Sequence, residues 1–568
     1  MTYAELPTLP PDIEIARQAR LRPIVEVGRD AGLAEDELEL YGSSKAKVSD
    51  AAWERLKDRP DGKLILITAI TATPAGEGKT VTSIGLAQAF GKRGLNHMLV
   101  LREPSLGPTF GVKGGAAGGG HAQVLPMDDI NMHFTGDMHA VTTAHNLLAA
   151  IVDNHIFQGN ELNIDPEKVV WRRVMDLCDR QLRQCEIGLG GKASGYPHRS
   201  GFDITAASEV MAVLALARDI DDLRARLDRI VVGYTTDDQP VLAGQLGVVG
   251  AMMVLLKDAI KPNLVQTAEN TPALIHCGPF ANIAHGCNSV RATRLGLKMA
   301  DYVITEAGFA ADLGAEKFLN IKCRMAGLTP CAAVLVVTCR ALKMHGGVPK
   351  DQINDENVNA LREGLANAKI HIENLGKFGL PVVVAVNRFP MDTPAELDAV
   401  FEFCRSMDTP AALSEVAARG GEGGLELADA VLKTIEGQNG GSGDGYHTLY
   451  GETLPIKEKI ETIGREIYRA DGVDYLEAAE ASIARLEKLG LDKVPVCMAK
   501  TQLSISDDPK KLGAPSGWRL TVRDVKVSNG AGFLVAVTGK MLLMPGMPKR
   551  PATERIGIDE DGNIFGLS

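Results

Sequence analysis

The nine cysteines of this 568-residue chain are scattered, odd in number and never arranged as a C-x-x-C pair. That excludes a disulfide or zinc framework of the usual spacing and points to free thiols in a reducing compartment. Basic clusters are lacking too. The net charge is −11 and no block of Lys or Arg dominates any region, so nucleic acid is not expected as the main partner. No apolar run approaches the roughly 18 residues needed to span a membrane; the longest, such as Cys331 to Thr338, have strand length. Met1 to Asp12 is polar and proline-rich, with no apolar signal segment, and a cytoplasmic location is the expectation. His133, His139 and His145 stand six apart, a rotation of about 240° per step on a helix. They would not share a face and read as hydrogen-bonding residues rather than a metal site. What remains is ordinary globular composition, 23% charged and 45% hydrophobic, in a length suited to about two to four domains.

Against this background Thr73-Pro74-Ala75-Gly76-Glu77-Gly78-Lys79-Thr80 stands out. It follows the apolar run Leu64 to Ile70 and precedes Val81 to Arg93, where apolar residues recur at helical spacing. Strand, Gly-rich turn and helix form the context of a phosphate-binding loop. Gly76 and Gly78 allow backbone N–H groups to approach phosphate oxygens, Lys79 would reach the β- and γ-phosphates, and the Thr80 hydroxyl would ligate Mg²⁺. The helix directs its positive dipole end at the same anion. The position where such loops usually carry their first glycine holds Thr73.

Four other short apolar runs end in polar clusters. Met98–Leu101 leads to Arg102–Ser105, and Tyr302–Ile304 to Thr305–Phe309. Ala333–Val337 leads to Thr338–Lys343, and Val382–Val386 to Asn387–Pro390. Near-continuous β-branched runs separated by helical stretches predict an α/β fold of P-loop NTPase-like type, a mostly parallel sheet covered by helices, with smaller α/β domains added. In such sheets ligands bind beyond the carboxyl ends of the strands, so these clusters are expected to converge on one crevice. Gly437 to Tyr446 is the best linker candidate, and Ile456–Arg469 and Tyr475–Leu489 read as amphipathic helices. Arg519 to Val537 reads as a hairpin or sheet turning at Asn529-Gly530. The expected division is 1–365 (nucleotide-binding), 366–445 (middle α/β) and 446–568 (C-terminal α/β).

Gly111 to Gly120 contains six glycines in ten residues, costly to order unless backbone must approach a ligand or another backbone closely. Lys113, Gly114 and Gly115 lie within it as a candidate anion loop. Arg102 offers a guanidinium fork for phosphate or carboxylate oxygens, with Glu103 placed to orient it. Asp137 is either a base or amine-orienting carboxylate, or a helix N-cap. A phosphate loop, a separate arginine and a second anion-friendly loop fit an enzyme that phosphorylates a small carboxylate, making an acyl phosphate that an amine then attacks. A switch or partitioning ATPase is the contrasting reading, disfavoured because the loop lacks an early second lysine.

These motifs resemble those of the formate–tetrahydrofolate ligases. The resemblance is carried by Thr73–Thr80, Glu103–Pro108, Gly111–Gly120, Phe134–Asp137, Arg340–Gly347 and Pro495–Gln502, and runs from Asp12–Ala16 to Met544–Gly546. KGGAAGGG and RALKxHGG are its most specific parts, and Thr73 is itself a family feature. It implies ATP with Mg²⁺, formate and tetrahydrofolate as substrates, formyl phosphate as intermediate, 10-formyltetrahydrofolate, ADP and phosphate as products, an activating monovalent cation and a homotetramer. By motif, Lys79 and Arg102 would hold the phosphates and formyl phosphate, Glu103 and Asp137 would line the reaction site, and Phe389 would pack one face of the pterin in the middle domain. The family's tryptophan on the opposite face is Ala417 here, which implies weaker folate binding or, as the alternative function, a related ligase with a different acceptor amine.

Overall fold

The computed structural model describes residues 3–113, 117–438, 445–539 and 541–567. The run Lys63–Ala69 forms β3 of the main sheet. Because successive side chains alternate faces, its apolar run feeds two cores: Leu64 and Leu66 enter one cluster, and Ile65, Ile67 and Ala69 the other. A strand buried on both faces needs no polar alternation, which is why this stretch is apolar throughout.

Further strands of this sheet are β1 (Leu38–Leu40), β2 (Ala46–Val48), β4 (His97–Leu101), β5 (Ala122–Leu125, paired with the two-residue strand Gly118–Gly119), β6 (Asn263–Thr267) and β7 (Pro272–Ile275). It continues with β8 (Tyr302–Glu306), β9 (Pro330–Val337), β10 (Val382–Asn387) and β11 (Ala411–Ser414). Their spatial order is β1-β2-β6-β7-β4-β8-β3-β9-β10-β11, with β5 pairing β6 off this path. From β7 to β11 every neighbouring pair is parallel. The expected α/β architecture is therefore present, with an antiparallel edge at β1, β2 and β6. Residues 382–414 add their two strands to this same sheet.

Helix α1 (Lys79–Lys92) leaves the end of the loop after β3 and buries Ile84, Leu86 and Phe90 against the sheet. Helix α2 (Asp137–Phe157) nucleates a third apolar cluster with the helices Glu209–Leu216 and Val249–Leu256. At the C-terminal end, Asp524–Ser528 and Phe533–Val537 pair antiparallel, with Ser528 opposite Phe533, as the Asn529-Gly530 signal predicts. Val496–Ala499 joins them in parallel. This sheet ties two clusters together: Val496, Met498, Leu534 and Ala536 belong to that of the main sheet, and Cys497, Ala499, Phe533 and Val535 to that of α2. The helices Ile456–Glu466 and Glu477–Lys488 match the predicted amphipathic segments. Most of the predicted linker, residues 439–444, lies outside the described residues. Among the described residues, no helix is long and apolar enough to cross a membrane.

Candidate active site

The Thr73–Thr80 loop is closed by its own side chains. Glu77 Oε1 accepts from the Thr73 backbone N–H (2.6 Å) and Thr73 Oγ1 (3.0 Å), and Thr73 Oγ1 accepts from the Ala75 N–H (3.3 Å). Thr73 therefore does through its hydroxyl what a glycine could not, bracing the turn across Pro74 and Ala75. Gly76 and Gly78 have φ of 76° and 78°, in the left-handed region. At Gly78 space is limiting as well. A Cβ there would lie 2.3 Å from Asn387 Nδ2, whose amide donates to the Glu77 carbonyl at 3.1 Å. Asn387 ends β10, so the loop is buttressed by a strand more than 300 residues away.

Strand order decides what surrounds Lys79. β4, β8 and β3 are adjacent, with Glu306 in register with Ile67 and Thr305 with Val100. Their carboxyl ends bring Arg102, Glu306 and the loop together. The Thr80 hydroxyl donates to Glu306 Oε2 at 2.8 Å, and Glu306 Oε1 lies 3.7 Å from the Arg102 guanidinium. Burial lowers the Lys79 ammonium below its ordinary value, helped by repulsion from Arg102 and opposed by Glu77 and Glu306. Arg102 Nε is buried without a hydrogen-bond partner. A cluster with one acid shared between a hydroxyl and a guanidinium, and with cations short of partners, is built to take up an anion.

Two expectations change here. Glu306, not Glu103, faces Arg102: its Oε1 is the carboxylate oxygen in salt-bridge contact with that guanidinium, just beyond the end of β4. Glu103 turns toward the layer of α2. Its Oε2 is buried and unpartnered, and burial, with the charge of Asp137 nearby, pushes its carboxyl well above the usual range. The second concerns Asp137, which is neither the N-cap of α2 nor a free base. Gly136 caps the helix with φ of 90°, and Asp137 is its first residue. Its carboxylate accepts from Lys47 Nζ at 2.8 and 3.0 Å and from Asn263 Nδ2 at 2.8 Å. The two charged side chains are 0% and 4% exposed.

The remaining predicted residues form a second group. Phe389 follows β10 and carries the Arg340 guanidinium 3.5 Å from its ring centroid. Asp392 Oδ2 accepts from the Phe389 N–H at 2.7 Å, and burial raises the Asp392 carboxyl to about 6. Burial lowers the Arg340 guanidinium, against the pull of Asp392 and Glu77, so this group lies within the field of the phosphate loop. Ala417 is half-buried in the short helix Val416–Arg419. Its carbonyl accepts from the His121 N–H at 2.9 Å and would lie 2.1 Å from a Cβ at Gly120. The Gly-rich loop is thus packed backbone to backbone against the Ala417 segment, one of the two close approaches its composition predicts. Gly114 and Gly115 lie outside the described residues, and Lys113 is described through its backbone alone.

Glu306 and Lys47 are the residues that motif reading missed. Glu306 had a signal, an acid closing an apolar run. Lys47 had none, because its partner is 90 residues away.

A parallel sheet with a glycine-rich loop, a lysine and threonine at the first helical turn, and an acid and an arginine from neighbouring strands defines an α/β enzyme of P-loop-like architecture. The family model described as formate–tetrahydrofolate ligase matches residues 10–568. The chain belongs to that family and is an ATP-dependent ligase acting on formate and tetrahydrofolate.

Proposed function

We propose that ligation proceeds through formyl phosphate, on the Lys79–Thr80–Glu306–Arg102 cluster. The observation that supports this is the convergence of these four residues at the ends of three adjacent strands. A formate oxygen attacks the γ-phosphorus of ATP and ADP leaves. The tetrahydrofolate amine then attacks the formyl carbon, phosphate leaves with the former formate oxygen, and the nitrogen gives up a proton. Residues Thr73–Thr80 cradle the phosphates, Lys79 and Arg102 neutralise the charge that spreads over the transferred group, and Lys113, Gly114 and Gly115 supply a second anion contact. Thr80 and Glu306 offer the hard oxygen donors that suit Mg²⁺ brought in with ATP. Glu103, whose carboxyl burial pushes upward, and Asp137, held by Lys47, line the reaction site. Phe389 packs the pterin, with Arg340 swinging off the ring face it covers, and Ala417 leaves the opposite face open. Monovalent-cation activation and a homotetramer, which rest on the sequence resemblance, and a cytoplasmic setting and the division at 365 and 445, which rest on composition, complete the reading.

The test is turnover of ¹⁸O-labelled formate with MgATP and tetrahydrofolate. One label in each product phosphate is expected; unlabelled phosphate would overturn the acyl phosphate. Ala417 favours one second reading, a different acceptor amine. Acid conversion of the product to its methenyl form, read by absorbance, decides between them, since a formylated tetrahydrofolate gives that signal and another formylated amine does not.

A further inference from the structure

A cavity of about 650 Å³ lies between the segment around α2 and the C-terminal sheet. That is the size of a small-molecule site, roughly 300–1,000 Å³. None of its lining residues belongs to the phosphate loop, the Arg102–Glu103 corner or the Phe389 and Ala417 segments.

Five cations line it, Arg172, Arg183, Arg199, Arg485 and Lys526, against three carboxylates, Asp203, Glu209 and Asp524. Arg172 is taken by Asp203 at 2.9 Å. Glu209 is turned onto the Gly530 and Ala531 N–H groups at 2.7 and 3.3 Å, and Asp524 accepts from Ser482 Oγ at 2.8 Å. Arg199 lies 3.9 Å from Glu186, and Arg183, Arg485 and Lys526 line the cavity without a carboxylate in salt-bridge contact among the described residues. Arg183 Nε donates only to the Met544 carbonyl, at 2.9 Å. The Arg485 guanidinium sits 4.5 Å over the Tyr234 ring, and its Nε is buried with no hydrogen-bond partner. An unpartnered buried guanidinium N–H costs free energy unless something supplies an acceptor.

The walls are aromatic as well as cationic. Trp171 and His145 stack with centroids 4.1 Å apart and planes 17° from parallel. His145 Nε2 lies 2.8 Å from the Arg172 carbonyl. A carbonyl only accepts, so Nε2 carries the proton and Nδ1 is left as a bare acceptor, buried and without a partner. Trp171, Tyr234 and Phe533 supply flat apolar surface around these groups.

We propose that this cavity is a second binding site, for a small organic anion that carries a planar ring with a hydrogen-bond donor. The ring lies along Trp171 and Phe533, its donor meets His145 Nδ1, and its carboxylate or phosphate meets Arg485 and Lys526. Two sources share that chemistry, an aromatic carboxylate and a nucleoside monophosphate.

The test is calorimetric titration of the full-length protein, kept saturated with MgADP to occupy the phosphate loop. p-Aminobenzoyl-glutamate is the probe in one arm and adenosine 5′-monophosphate in the other. Saturable binding is expected in at least one arm, and the arm that responds identifies the anion class. Arg485→Gln with Lys526→Gln should weaken it at least tenfold while formate-dependent ATP turnover is unchanged. Lys526→Gln alone, at an exposed position, should weaken it severalfold with folding intact. No binding of either probe at millimolar concentration overturns the proposal, and so does binding that the substitutions leave unaltered.

Discussion

Replacing Lys47 by methionine removes the only cation within salt-bridge distance of Asp137 among the described residues. The Asp137 carboxylate then keeps Asn263 Nδ2 at 2.8 Å and loses the Nζ contacts at 2.8 and 3.0 Å, while Asn263 Oδ1 and the Lys261 backbone carbonyl lose that donor too. Breaking one side of a buried pair costs about 3–5 kcal/mol, because a charge remains out of water without its partner. Asp137 sits on the first turn of α2, where the helix dipole returns roughly 0.3–1 kcal/mol. The expected net loss is therefore about 2–5 kcal/mol. Urea unfolding followed by tryptophan fluorescence measures it, since Trp171 belongs to the apolar cluster that α2 organises. The double variant Lys47→Met/Asp137→Leu has no stranded charge and should recover at least about 1 kcal/mol relative to the sum of the singles. A Lys47→Met variant within about 0.5 kcal/mol of the parent would refute the argument. So would strict additivity in the double variant. MgATP binding should survive in every variant that folds, because none of these substitutions touches Lys79, Thr80, Glu306 or Arg102.

Glu306→Gln keeps the shape of the Thr80 contact and removes the charge shared with Arg102; the formate-dependent turnover should fall by about 10²–10³ in kcat, on the scale of losing one preorganised electrostatic contact, and a change below tenfold would remove Glu306 from the site. Ala417→Trp should lower KM for tetrahydrofolate by about 2–12-fold, from an aromatic contact of roughly 0.5–1.5 kcal/mol; an unchanged or raised KM would show that the face opposite Phe389 is already filled. Glu316 is fully buried, bonded to Asn320 Nδ2 at 2.7 Å, and burial raises its carboxyl from 4.5 to about 7. Its contribution to stability is whole below about pH 4.5 and is lost as pH rises to about 7, so the parent should lose about 3 kcal/mol relative to Glu316→Gln across that window, at about 1.36 kcal/mol per unit. Parallel stability profiles of the two proteins in urea melts from pH 4.5 to 7.5 would contradict this.

The features legible in the sequence are those whose partners are close in the chain. The phosphate loop needs one strand, one turn and one helix in succession, and Leu64 to Arg93 contains all three. The hairpin at Asn529-Gly530 is equally local. The parallel sheet could be read because strands buried on both faces are apolar throughout, and β4, β8, β9 and β10 lie where those runs predict. The glycines of the second loop announced a close approach, without saying to what.

Sequence by itself therefore determined the fold class, the strand, turn and helix around Thr73–Thr80 and, through long motifs, the family. Tertiary structure alone decided the neighbours. Glu306 reaches both Thr80 and Arg102 because β8 is inserted between β4 and β3, an order opposite to any reading along the chain. Asp137 is an ion-pair partner because β2 lies beside β6, carrying Lys47 under the start of α2. Gly120 must be glycine because the backbone at Ala417 occupies the place of its side chain. Periodicity and turn chemistry report how each segment is buried and where it bends. Which segments then lie side by side is set by how the buried faces pack, and that information is spread over the whole chain.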